Sequence, residues 1–182
     1  MTIKESIAKL QLGEITLREF PKIALKAIES GIESKSLLIL AGMKSTDNEF
    51  EIKEYLDNVI DELSITIQES LGSAYILANS YVNSYKKGEF NIIQCIYNIK
   101  NECWDNCQNK IDSIDYLYDG IKFEKIIGPW FEYNEIDQFT DWVKKSNKSL
   151  YQIKKEIEKD LETKVLNWQF EFLKDKIDNL SK

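Results

Sequence analysis

The chain of 182 residues contains no histidine. Without imidazole, a Ser-His-Asp or Cys-His nucleophile system, a histidine-containing zinc site and an ordinary acid/base group near neutral pH are all excluded. Gly-rich phosphate loops of the GxGxxG or P-loop kind are missing as well. A two-carboxylate site of the glycosidase kind needs a defined pair of acids, and no spacing in the chain singles one out. We therefore predict a protein that is not an enzyme and that uses no cofactor or metal.

Arginine is almost absent, since Arg18 is the single one in the sequence. Lysine supplies the other positive charges, so the chain is poorly equipped for bidentate binding of phosphate or carboxylate groups. With 31 acidic and 24 basic residues, the net charge is −7. This balance argues against a general nucleic-acid binder and against adhesion to anionic membranes. A basic protein partner is compatible with it.

Long apolar runs are missing too. The longest, Leu37 to Ala41, is too short to span a membrane, and the first residues, MTIKESIAKLQLGE, lack the apolar segment of a signal peptide. Three cysteines, Cys95, Cys103 and Cys107, are an odd number that indicates reduced thiols. Because tetrahedral zinc needs four ligands, we interpret them as buried packing residues. We expect a soluble, cytoplasmic protein without membrane contact.

Helix breakers are few, with 2 prolines and 7 glycines against 43% hydrophobic residues. This composition predicts an all-α protein. We expect one domain over residues 1–182, an orthogonal or HEAT-like bundle of about seven to nine helices with a long C-terminal helix.

Local signals place the helix ends. Gly13 is predicted to end the first helix, and Thr16 with Glu19 forms a capping box for the second. Ser34 can cap an apolar segment that ends at Gly42. By periodicity alone that segment could be a buried strand, but no neighbouring segment alternates with period two to pair with it.

The second half of the chain has similar signals. Ser149 is predicted to cap the long final helix, which carries Trp168 and Phe172 on one face and Phe170 on another. Gly128 and Pro129 predict a turn that interrupts the helical pattern.

Two stretches, 3–29 and 79–102, share an order of helix, Gly-Glu, one large apolar residue and a second helix. Gly13-Glu14-Ile15 corresponds to Gly88-Glu89-Phe90. The echo indicates either a recurring helix–turn–helix corner or a true duplication, and two copies do not decide between them.

The stretch from Trp104 to Ile121, WDNCQNKIDSIDYLYDGI, separates apolar and acidic residues onto two sides of a helix. We call its carboxylates the acidic stripe; they are Asp105, Asp112, Asp115 and Asp119. The stripe could be a solvated helix face, a surface that binds a basic partner, or, with least support, a set of oxygen ligands for a divalent cation.

A second candidate site combines aromatic and acidic residues. The cluster consists of Trp130, Phe131 and Tyr133 together with Glu132, Glu135 and Asp137. Aromatic residues ringed by acids are typical of an interface anchor and its rim. The alternative is an aromatic lid packed over the core, and the same choice applies to Trp142.

These patterns lead to a family resemblance. The segments GEITLREFPKIALKAIESGIESKSLLILAGM and FEIKEYLDNVIDEL, and later YKKGEFNIIQCIYNI and IIGPWFEYNEID, resemble small helical bacterial proteins, some of them found at polymorphic-toxin and immunity-protein loci. The resemblance covers roughly two-thirds of the chain and implies a helical fold, with no catalytic residue to carry over. The cysteine-containing middle and the long C-terminal helix depart from it.

Two functions remain as hypotheses. The first is an immunity protein that neutralises a basic toxin domain through the acidic stripe and the aromatic–acidic cluster. The alternative is a scaffold protein that forms a homodimer through its C-terminal helix.

Overall fold

The computed structural model describes residues 1–108, 121–138 and 147–180. All regular structure in these ranges is helical, without a strand, so the all-α prediction is confirmed. The chain divides into two compact units, residues 1–77 and 78–182, with the boundary inside one helix. The expected single domain therefore stays a prediction.

The first unit is built from short helices that follow one another closely. They are α1 (Ile3–Leu12), α2 (Phe20–Glu29), α3 (Lys35–Gly42), α4 (Glu49–Glu62) and the first part of α5 (Ser70–Lys86). Helix α3 packs against both α2 and α4. The core of the first unit contains the fully buried side chains of Phe20, Leu37, Leu40 and Ile52. Burial of each such side chain contributes about 1.5 to 3 kcal/mol before entropy is counted.

Capping residues fix the ends of these helices, as the sequence predicts. Gly13 has a left-handed φ of 82° and ends α1, with its N–H bonded to the carbonyl of Leu10. The Glu19 carboxylate accepts the N–H of Thr16 at 3.0 Å, and a 3₁₀ turn, Leu17–Glu19, leads into α2. Ser34 caps α3 by accepting the N–H of Leu37, so the apolar segment is a helix rather than a strand.

The second unit contains the longer helical segments. After the end of α5 come α6 (Ile92–Asn98), a π-helical turn (Ile99–Asp105) and a last turn (Asn106–Gln108); then α7 (Glu124–Glu135) with a 3₁₀ turn (Ile136–Gln138). Helix α8 (Leu150–Trp168) continues through a second π-helical turn (Gln169–Leu173) into α9 (Lys174–Asn179). Helix α8 packs against α6 and α7.

Three aromatic rings form the centre of this unit. The ring centroid of Trp104 lies 6.1 Å from that of Trp168 and 6.3 Å from that of Phe123, in edge-on contacts. The centroids of Phe123 and Trp168 are 5.0 Å apart. The indole N–H of Trp168 donates to the carbonyl of Ile121 at 2.7 Å, which satisfies its buried polar group. Edge-on aromatic pairs of this kind add about 0.5 to 1.5 kcal/mol each beyond area burial.

The turn predicted at Gly128 and Pro129 is wrong, because both residues lie inside α7. Proline removes one backbone hydrogen bond, at a cost of about 3 kcal/mol in a helix interior. Ile126, Ile127 and Trp130 on the same helix are buried. Their packing offsets that cost, so tertiary contacts override the local signal.

The long C-terminal helix is confirmed, with continuous helical backbone over residues 150–179. Ser149 caps it together with Gln152 in a capping box. Trp168 and Phe172 are buried, whereas Phe170 is 76% exposed, as the helical spacing predicts. Among the described helices, none has the length and apolar character required to cross a membrane.

Candidate functional site

Helix α7 places one aromatic residue in the core and the next one on the surface. Trp130 is buried at 9% exposure, while Phe131 is 42% exposed. The amide of Asn134 donates to the carbonyl of Trp130 at 2.7 Å, one helical turn away. Trp130 also lies near α6, with its indole nitrogen 3.4 Å from the carbonyl oxygen of Ile93. Trp130 therefore anchors α7 in the core, and Phe131 is the residue that a partner could contact.

Tyr133 is tied to the neighbouring helix α8. Its hydroxyl donates to the carboxylate of Glu158 at 3.0 Å, and the ammonium of Lys154 lies 5.1 Å from its ring. Burial and the bond to Glu158 raise the pKa of Tyr133. These contacts fix this side of α7 against α8 and leave little of Tyr133 for recognition.

The three acids of the cluster are not equivalent. The Asp137 carboxylate forms an ion pair with the ammonium of Lys154, with a nitrogen–oxygen distance of 2.8 Å, so its charge is partly offset. Glu132 and Glu135 are exposed, and no lysine or arginine of the described ranges forms an ion pair with either. Glu135 lies four residues after Phe131, one helical turn away on the same face, and Glu132 follows Phe131 directly in the chain. We call Phe131, Glu132 and Glu135 the Phe131 surface.

The acidic stripe is described only at its first member. Asp105 pairs with the ammonium of Lys100 at 2.5 Å inside the π-helical turn. Asp112, Asp115 and Asp119 lie outside the described residues, and so does Trp142. On the apolar side, Trp104, Cys107 and Ile121 are buried as expected. The role of the stripe in binding stays a prediction.

All three cysteines are buried and reduced. Burial raises the pKa of Cys95 to about 12, which keeps the thiol protonated at neutral pH. Within residues 1–108, 121–138 and 147–180, no group of three or more Asp, Glu or Cys side chains is placed to hold a metal ion.

The sequence reasoning missed three exposed apolar side chains in the first unit. Leu25 on α2, Leu38 on α3 and Phe50 on α4 are all exposed. A signal was present at α2: at 100° per residue, Leu25 falls outside the face that Phe20 and Ala24 share and is turned toward Lys22. A leucine at that position is therefore expected at the surface of α2 rather than in the core.

Comparison with known protein families, with curated proteins and with solved structures finds no match to the chain. The functional assignment therefore depends on the geometry above. That geometry offers a helix that presents one partly exposed apolar ring next to Glu132 and Glu135, which form no ion pair within the described ranges, and this arrangement is suited to binding a positively charged protein surface.

Proposed function

We propose that the chain is a protein-binding module that engages a basic protein domain through the Phe131 surface. The observation that carries this proposal is the half-exposed ring of Phe131 beside Glu132 and Glu135, on a helix anchored by buried Trp130. An aromatic anchor with a charged rim is the composition of an interface hot spot. The two carboxylates would speed encounter with a basic partner and disfavour an acidic one.

The most specific form of this proposal is a bacterial immunity protein. A toxin that acts on nucleic acid needs a positively charged substrate site. A chain of net charge −7 that docks an acidic surface there would block the site and neutralise the toxin. The resemblance of the sequence to proteins of immunity loci supports this form.

A co-expression experiment tests it. The product of the adjacent gene, expressed in a bacterial host, should stop growth, and the full chain should restore growth and co-purify with that product. If the chain neither binds the product nor protects the host, the immunity proposal is wrong.

A second candidate function is self-association through the C-terminal helix. Its support is the exposure of Tyr151 and Phe170, two aromatic residues on the helical segment 150–179. Solution mass by light scattering tests it. A dimer that the Phe170→Asp substitution converts to monomer supports a scaffold function; a wild-type monomer at high concentration rejects it.

A further inference from the structure

The first unit carries a groove whose chemistry is opposite to that of the Phe131 surface. It has a volume of about 640 Å³ and is lined in part by Ile23, Leu25, Ala41 and Met43. This volume falls in the usual range for a binding cleft, and its lining mixes apolar side chains with cationic ones. The groove is lined entirely by residues 1–45 of the first unit, whereas the Phe131 surface belongs to the second unit.

The cationic side chains of the groove are Arg18, Lys22 and Lys26. Arg18 is paired with Glu49 at 2.5 Å, which offsets its charge. Lys22 and Lys26 are exposed, and no carboxylate of the described part of the chain pairs with them. Glu19, the one acid in the lining, already accepts the N–H of Thr16.

Leu25 lies three residues after Lys22 and directly before Lys26 on α2, and it is 49% exposed. Its helix neighbours Phe20, Ala24 and Ala27 are buried, so α2 already has a complete core face without it. A large apolar residue that the core does not use, in a groove that Lys22 and Lys26 also line, is suited to contact with a second molecule.

We infer that this groove binds an acidic amphipathic segment of a protein partner, with apolar side chains against Leu25 and carboxylates at Lys22 and Lys26. A helix whose apolar residues recur at three- and four-residue spacing is the usual occupant of such a groove. Charge complementarity selects the acidic form, since a basic segment would meet two uncompensated lysines.

Other anionic surfaces fit less well. Two lysines contribute only about 1 kcal/mol each toward an anionic membrane, and the net charge of −7 opposes that approach. Nucleic acid needs many phosphate contacts, whereas the groove offers Lys22 and Lys26, which pair with no carboxylate of the described residues, beside an apolar wall. An apolar wall with few charges therefore favours a protein segment.

The test is a selection from a library of displayed random peptides on the full-length chain. Peptides that also bind the Lys22→Glu/Leu25→Asp/Lys26→Glu variant are removed. Those that remain should be rich in Asp and Glu, with Leu, Ile or Phe at helical spacing. Basic or uncharged remaining peptides, or none at all, would overturn the proposal.

A fluorescently labelled peptide from this selection then gives the affinity by polarisation. The Lys22→Glu/Lys26→Glu variant should bind it about tenfold more weakly or worse, because charge reversal places like charges together. The Lys87→Glu/Lys159→Glu variant carries the same change in net charge on exposed lysines of the second unit, and it should bind like wild type.

Circular dichroism of each variant confirms that it is folded. Binding of the chain and of both lysine variants to vesicles of phosphatidylglycerol is measured as well. Equal losses in the two lysine variants would mean that net charge alone governs binding. Binding to vesicles that depends on Lys22 and Lys26 would mean that the groove faces a membrane. Either result overturns the proposal.

Discussion

The ring of Phe131 lies 5.2 Å from the ring of Trp130, and the two planes meet at 69°. One residue is buried and the next is exposed, so the edge-on contact joins the core of the second unit to its surface. This contact restricts the orientation of Phe131 before any partner arrives. Binding then costs less side-chain entropy than it would for an unsupported ring.

The two rings should differ sharply when truncated. Trp130→Ala removes a buried side chain and should lower the free energy of unfolding by about 3 to 5 kcal/mol. Phe131→Ala should have a much smaller effect, about 1 kcal/mol, because Phe131 is already 42% exposed in the folded chain. Urea denaturation of both variants measures this; a large loss with Phe131→Ala would make it a structural residue.

The helix positions of the second unit were partly predictable from the sequence. Ser149 and Gln152 are only three residues apart in sequence, so a local capping pattern identifies the start of α8. Pro129 shows where local signals fail, because the helix there is stabilised by Ile126, Ile127 and Trp130 packing against distant residues. Likewise, Lys154 pairs with Asp137 across 17 residues, so which acids of the cluster stay unpaired could not be read from spacing.

Stability should depend on pH through Glu62. Its carboxylate accepts hydrogen bonds from the hydroxyls of Ser34 and Ser36 and, at 3.0 Å, from the N–H of Ser36. These bonds lower the pKa of Glu62 from 4.5 to about 2. Between these two pKa values, the unfolded chain binds more protons at this carboxyl than the folded chain does. The stabilisation is therefore complete above about pH 5 and is lost as the pH falls toward 2.

Glu62→Gln isolates this effect. The difference in urea midpoint between wild type and Glu62→Gln should be largest at neutral pH and should shrink at pH 3. Glu54→Gln, at an exposed position beyond the first turn of the same helix α4, serves as the control and should leave the urea midpoint close to that of wild type. A Glu62→Gln difference that stays constant with pH would contradict the assignment.

Cys95 should resist alkylation in the folded protein. Only the thiolate reacts, and burial raises the pKa of Cys95 to about 12. Iodoacetamide at mildly alkaline pH should therefore label it about 100-fold or more slowly in the native chain than in urea. Mass spectrometry of quenched samples gives both rates. Rapid labelling of Cys95 in the native chain would show that its side chain is accessible.

The central claim is that the Phe131 surface binds a basic protein through the carboxylates of Glu132 and Glu135. The most direct measurement is the association rate of the chain with the adjacent gene's product, by surface plasmon resonance at low and high salt. Glu132→Gln/Glu135→Gln should slow association at low salt, and the difference should diminish at high salt. Glu51→Gln/Glu54→Gln removes two exposed acids at the same spacing from α4 and should associate at the wild-type rate. Equal rates for wild type and Glu132→Gln/Glu135→Gln at low salt would contradict the account.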